Sequence, residues 1–187
     1  TANGGLTPTN WQNSVVLPGT QSGAFSALVG GLAPGQTYFF TARGSNVAGV
    51  SWVVPAASFD TLPVPPQVQT LAAGDIRATS ATVGATVMST GGEVPTVTIY
   101  HGPADGGTTA GAWAASVSLG QQSGTATATL SGLPVAAPYY YRAQAANSAG
   151  GAWAETTLQF TTLEVGLPAV ANRSVEGVTG TTANLRG

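Results

Sequence analysis

The chain is 187 residues long, the size of one or two ordinary domains, and only 6% of it is charged, against about 25% in an average soluble domain. Five arginines, no lysine and seven acids give a net charge of −2, too little positive charge to neutralise a row of phosphates or to dock on an anionic membrane surface. No run approaches the roughly 18 apolar residues of a membrane-spanning helix, and the lack of cysteine removes disulfides and thiolate metal sites.

Without lysine there is no lysine–asparagine cross-link either, so stability must come from packing and sheet hydrogen bonds. At 43% hydrophobic the chain has enough apolar surface to fold. A neutral polar surface of Thr, Ser, Asn and Gln suits an extracellular or cell-surface setting.

Along the chain, Gly4-Gly5 and Trp11 open a turn-rich stretch. Alternation then places Phe25, Ala27 and Val29 on the inward face of one strand, Tyr38, Phe40 and Ala42 on the next, and Phe59 on a third. Leu62-Pro63-Val64-Pro65-Pro66 reads as a stiff, extended linker. Beyond it the inward residues are Val83, Ala85 and Val87, then Val97 and Ile99, then Ala126, Ala128 and Leu130. Tyr139, Tyr141, Ala143 and Ala145 follow, and then Leu158 and Phe160. Short runs rich in Thr and Val between Gly, Pro and Asn turns predict an all-β chain with no helical period. The core is alanine-rich, so Trp113, Trp153 and the tyrosines are expected to carry much of its buried area.

The chain repeats itself. Residues 38–62 and 139–163 are identical at nine of 25 positions, at an offset of 101. The matches include Tyr38 with Tyr139, Asn46 with Asn147, Trp52 with Trp153, Phe59 with Phe160, and Thr61-Leu62 with Thr162-Leu163. At an offset of 102, Gly4-Gly5 matches Gly106-Gly107, Trp11 matches Trp113, and Pro66-Gln67-Val68 echoes as Pro168-Ala169-Val170. A period near 100 residues is that of one immunoglobulin-like domain. The expected division is the C-terminal part of one repeat over 1–61, a complete repeat over 62–162, and the N-terminal strands of a further one over 163–187. The chain then reads as a window on a longer tandem array.

Leu32-Ala33-Pro34-Gly35-Gln36-Thr37-Tyr38, followed by alternation to Ala42 and by Asn46-Val47-Ala48-Gly49, resembles the second half of a fibronectin type III domain. Leu133 to Tyr139, with Ala143 and Asn147-Ser148-Ala149-Gly150, repeats the likeness. Asp105-Gly106-Gly107-Thr108 to Trp113 is similar to a variant found in tandem in very large bacterial secreted and surface proteins. The resemblance implies immunoglobulin-like β-sandwiches and, for Tyr38 and Tyr139, a tyrosine corner in which the hydroxyl bonds to backbone just upstream. Two departures stand out. Pro134-Val135-Ala136-Ala137-Pro138 replaces Ala33-Pro34-Gly35-Gln36-Thr37. The tryptophan many such domains carry on the second strand is missing, with Val83 or Ala85 in its place and Trp113 or Trp153 as candidates to fill the gap. No Arg-Gly-Asp occurs.

The chemical inventory is nearly empty. His101 is the only histidine and shares the parity of Val97 and Ile99, so a partly buried structural role is expected, and one histidine cannot assemble a zinc site. The seven acids are dispersed. Glu93 and Asp105 flank one strand and read as solvated loop groups, not a glycosidase pair. Asp105 in its Gly-rich turn is a poor calcium candidate, and Asn172-Arg173-Ser174 is a chance glycosylation triplet. No catalytic, cofactor or metal residues are assigned.

The candidate interface or core aromatics are Trp11, Trp52, Trp113, Trp153, Phe39 and Tyr140, the last two facing outward. The expected function is that of a non-enzymatic structural segment of an extracellular fibre, filament or stalk. Its partners are neighbouring repeats or copies of itself, head-to-tail, with strand exchange between subunits as the sharper form. The alternative is a spacer or carbohydrate- or adhesion-binding module of a larger secreted protein, with Trp11 or Trp113 stacking on sugar.

Overall fold

The computed structural model describes residues 2–186. Fourteen strands occur among them. The N-terminal segment holds β1 (Thr37–Phe40), β2 (Arg43–Asn46), β3 (Gly49–Trp52) and β4 (Ala57–Asp60). The central sandwich holds β5 (Gln67–Gly74), β6 (Ser80–Ser89), β7 (Thr96–Gly102), β8 (Ala115–Gln121), β9 (Thr125–Ser131), β10 (Pro138–Asn147), β11 (Gly150–Trp153) and β12 (Leu158–Thr161). A last hairpin pairs β13 (Arg173–Glu176) with β14 (Asn184–Arg186).

In the sandwich one sheet has the order β5-β6-β9 and the other β11-β10-β7-β8, with β12 also pairing β10. All pairings are antiparallel. Alternation along each strand sends Val83, Ala85 and Val87 from one sheet against Val97, Ile99, Ala143 and Ala145 from the other, as the sequence predicts. Alanine on both faces draws the sheets close and leaves room for a few large rings. Tyr141, fully buried, and Tyr139 both pack on Phe160 with ring centroids 5.8 Å apart. These rings occupy the middle of the core. Trp113 and Trp153 do not. Trp113 is buried, at 7% exposure, but lies outside the continuous core cluster. Trp153 pairs with Gln144 on the outer face, where it meets Tyr100 at 4.8 Å.

The edge strand β5 is tied across the sandwich by two polar contacts. The Tyr141 hydroxyl donates to the Leu71 carbonyl at 2.7 Å, and the Ala143 amide donates to Thr70 Oγ1 at 3.1 Å. Buried polar groups need such partners, since leaving one unmade costs about 1–3 kcal/mol.

The N-terminal segment repeats half of this pattern. β1 pairs β4 as β10 pairs β12, and β2 pairs β3 as β10 pairs β11. Its inward face is open, contrary to the parity-based expectation of burial. Phe40 is 54% exposed and Phe59 42%, where their counterparts Tyr141 and Phe160 are 0% and 6%. Phe25, Ala27 and Val29 lie in no strand and are exposed. The reason is pairing. Their counterpart β9 is held by β6, and residues 1–61 contain no equivalent of β5 or β6 to cover the face.

The last hairpin reproduces the start of β5–β6. Leu71↔Gly84 and Gly74↔Thr82 recur as Arg173↔Arg186 and Glu176↔Asn184. The turn repeats as well: Arg77 donates to Ser80 at 2.8 Å and Thr179 to Thr182 at 2.7 Å.

Candidate functional site

The acids and the histidine are placed apart. Glu93 and Asp105 stand beyond opposite ends of β7. Glu93 accepts from the Ser148 amide and hydroxyl, and Asp105 accepts from the Gly107 amide at 2.8 Å and from Thr157 Oγ1 at 2.9 Å. His101 Nδ1 meets the Tyr139 hydroxyl at 3.3 Å. Burial pushes the imidazole below its ordinary value and the Tyr139 hydroxyl above its own. Among the described residues there is no cluster of three metal-ligating side chains, and no helix is long and apolar enough to cross a membrane.

The two expected tyrosine corners differ. Tyr38 makes one, its hydroxyl accepting the Ala33 amide at 2.9 Å. Tyr139 does not. The residue matching Ala33 is Pro134, which has no N–H to give, so the hydroxyl turns to His101. Both corners are nonetheless clamped alike by a threonine that the sequence reading passed over. Thr61 Oγ1 donates to the Ala33 carbonyl at 2.7 Å and accepts the Gln36 amide at 2.9 Å. Thr162 does the same with Pro134 at 2.6 Å and Ala137 at 3.0 Å. The repeated Thr-Leu pair was the available signal.

The Gly-Gly and tryptophan motif is also structural. Each indole lies flat on a glycine: a Cβ on Gly4 would meet Trp11 at 2.8 Å, and one on Gly106 would meet Trp113 at 2.7 Å. Trp11 Nε1 donates to the Gly5 carbonyl at 3.1 Å, whereas the buried Trp113 Nε1 has no partner. Trp113, at 7% exposure, is therefore not available to stack on a sugar, whereas Trp11 is only half-buried. The other aromatics lie on outer faces. Trp52 is approached by the Arg43 guanidinium at 5.9 Å, and Tyr140 and Phe39 point away from the inward parity.

The most developed site is a joint. The linker residue Val64 is held from both sides, its amide donating to the Gly91 carbonyl at 2.9 Å and its carbonyl accepting Asn147 Nδ2 at 2.8 Å. Asn147 Nδ2 also donates to the Thr90 carbonyl at 3.1 Å, while its Oδ1 accepts the Ala149 amide at 3.0 Å. One side chain thus shapes its own turn and clasps both the linker and the β6–β7 loop. Pro66 is fully buried at the linker's end. On the far side of the loop, the Pro34-Gly35 corner rests on Gly92, backbone against backbone.

No family model and no curated protein matches the chain. Among solved structures, domains d3–d4 of the rat CD45 extracellular region align with a TM-score of 0.57 at 13% identity, over 87% of this chain and 83% of that one. The third fibronectin III domain of human KIAA0343 protein aligns at TM-score 0.41 and 19% identity, over 64% of this chain and 100% of that domain. The sensor domain of the anti-sigma factor RsgI4 in Pseudobacteroides cellulosolvens aligns at 0.39 and 20%, over 54% and 97%. At 13% identity the likeness to the CD45 domains is one of fold. The chain is an all-β, fibronectin type III-like, immunoglobulin-like sandwich protein.

Proposed function

We propose that this chain is a non-enzymatic structural segment of an extracellular tandem array of fibronectin type III-like sandwiches, a surface stalk or fibre. Residues 1–61, 62–162 and 163–187 belong to three successive repeats. The observation that carries this reading is the clasped linker. A backbone bonded on both sides at Val64 and bounded by prolines transmits orientation from one unit to the next, as a stalk requires. The offset of 101–102 residues, the doubled Thr clamp and the doubled hairpin register support the same arrangement. The similarity of the Asp105 to Trp113 segment to tandem bacterial surface proteins makes that setting the natural one. Electron microscopy of the native material, with the mass of the intact chain, tests the proposal. Long particles with an axial repeat of one or two domains are expected, and compact single particles would overturn it.

A second reading is favoured by the hairpin: β13–β14 has the register of the strands that cover the core in the sandwich, and the face around Phe40 and Phe59 lacks that cover. Strands from 167–187 of one copy would then complete the 1–61 segment of the next. It ranks second because the completed unit would still lack the counterpart of β7, which lies between β10 and β8. Light scattering of the 187-residue chain decides it: concentration-dependent oligomers support exchange, and a monomer at all concentrations removes it.

A further inference from the structure

The corners at Gly35 and Ala136 are counterparts, at the same offset of 101 as the repeat. Both backbones are left-handed, with φ of 62° and 52°. Both amides donate to the matching leucine carbonyl at 3.3 Å, Gly35 to Leu62 and Ala136 to Leu163. The two corners therefore have one backbone conformation and differ by a methyl group.

That methyl decides what can rest on the corner. A Cβ on Gly35 would lie 2.2 Å from the Gly92 oxygen and 2.7 Å from its carbonyl carbon. A Cβ on Gly92 would lie 2.4 Å from the Pro34 oxygen, and one on Gly91 would lie 2.0 Å from the Val64 oxygen. The atoms met are all backbone, so no rotamer change relieves the collision. The corner and the loop fit only as glycine against glycine.

We infer that the Pro34-Gly35 corner is a docking surface whose partner is the Gly-Gly loop between β6 and β7 of the following sandwich, and that Ala136 makes the equivalent corner unable to accept such a loop. The chain thus carries two kinds of corner, one that admits a Gly-Gly loop and one whose methyl group excludes it. Ala136 is held in a left-handed conformation that glycine would adopt at no steric cost and that is strained for alanine. The linkers agree, since Pro63, Pro65 and Pro66 follow the glycine corner while Glu164, Gly166 and a single proline, Pro168, follow the alanine corner. The inference rests on the array reading, which makes the two corners parts of successive repeats and supplies the sandwich that would follow the second.

The test uses the whole chain, in which the absence of native cysteine lets two introduced ones report alone. Spin labels at Ser58→Cys in β4 and Ser116→Cys in β8, both exposed, measure the distance across the joint. A single narrow distribution is expected in the parent. Gly35→Ala, which copies the alanine corner, should broaden or shift it while leaving the urea midpoint of the central sandwich unchanged. Gly92→Ala, on the other side of the contact, should broaden it too. Ala136→Gly should leave the distance alone and raise the midpoint. An unchanged distribution in both Gly35→Ala and Gly92→Ala overturns the inference. A distribution already broad in the parent instead overturns the fixed joint of the proposed function, whatever the variants do.

Discussion

The Tyr141 hydroxyl reaches across the sandwich to the Leu71 carbonyl, 2.7 Å away on the edge strand β5. The ring is fully buried against Phe160, so no water replaces this partner if it is lost. Tyr141→Phe keeps the ring and removes the hydroxyl, which donates to Leu71 and also meets the Ala73 backbone. The expected cost is about 1–2 kcal/mol, seen as a lower urea midpoint with an unchanged slope. A midpoint equal to the parent's would show that Leu71 finds another donor.

The same hydroxyl should make stability fall in the alkaline range. Burial pushes Tyr141 up to about 12 from an ordinary value of 10.0, and moves Tyr139 in the same direction. Below pH 10 both folded and unfolded chains keep the Tyr141 proton, and its contribution is constant. Between about 10 and 12 the unfolded chain releases the proton first, so unfolding is favoured as pH rises. Urea midpoints should therefore be level at pH 8–9 and fall from pH 10 upward. Tyr141→Phe should flatten that fall, leaving a smaller slope from Tyr139. Equal slopes in the two proteins would assign the alkaline loss elsewhere.

Parity made most of the central core readable, because a strand with one buried face alternates whatever its neighbours are. Val83 to Val87, Val97 to Ile99 and Tyr139 to Ala145 fell inward as their spacing requires. The same rule misled for Phe25, Phe40 and Phe59, since parity names the face a residue shares but not whether a second sheet lies over it. The tyrosine corner at Tyr139 was excluded by a single residue already visible in the chain, the proline that deletes the N–H at position 134. The joint was not legible. Only the fold brings Gly91 and Gly92 against Val64 and Gly35. Trp153 drew attention by size, yet its pairing with Gln144 turns it outward.

The stacking of Trp113 on Gly106 leaves no room for a side chain. Gly106→Ala would place a methyl 2.7 Å from the indole ring, forcing the buried tryptophan or its loop to move. Overpacking of this kind costs about 1–3 kcal/mol. The indole N–H resonance of Trp113 should shift and its exchange with solvent quicken, because the N–H is now buried without a partner. A Gly107→Ala control meets no atoms within 4 Å but sits at a φ of 60°, so it should lower stability without moving the Trp113 signal.

Asn147 offers the sharpest separation of turn from clasp. Its Oδ1 holds the Ala149 amide, while its Nδ2 holds the Val64 and Thr90 carbonyls. Asn147→Asp keeps the acceptor and loses the donor, and it sets a negative charge against two carbonyl oxygens. Asn147→Ala loses both. The aspartate variant should keep the β10–β11 turn but release the linker, so that the Val64 amide, bonded to Gly91 at 2.9 Å, exchanges at least tenfold faster with solvent. The alanine variant should quicken exchange at both Val64 and Ala149, with a stability loss of about 1–3 kcal/mol for the partners left unmade. Protection at Val64 that survives Asn147→Asp would mean that Gly91 and the prolines hold the linker without the clasp.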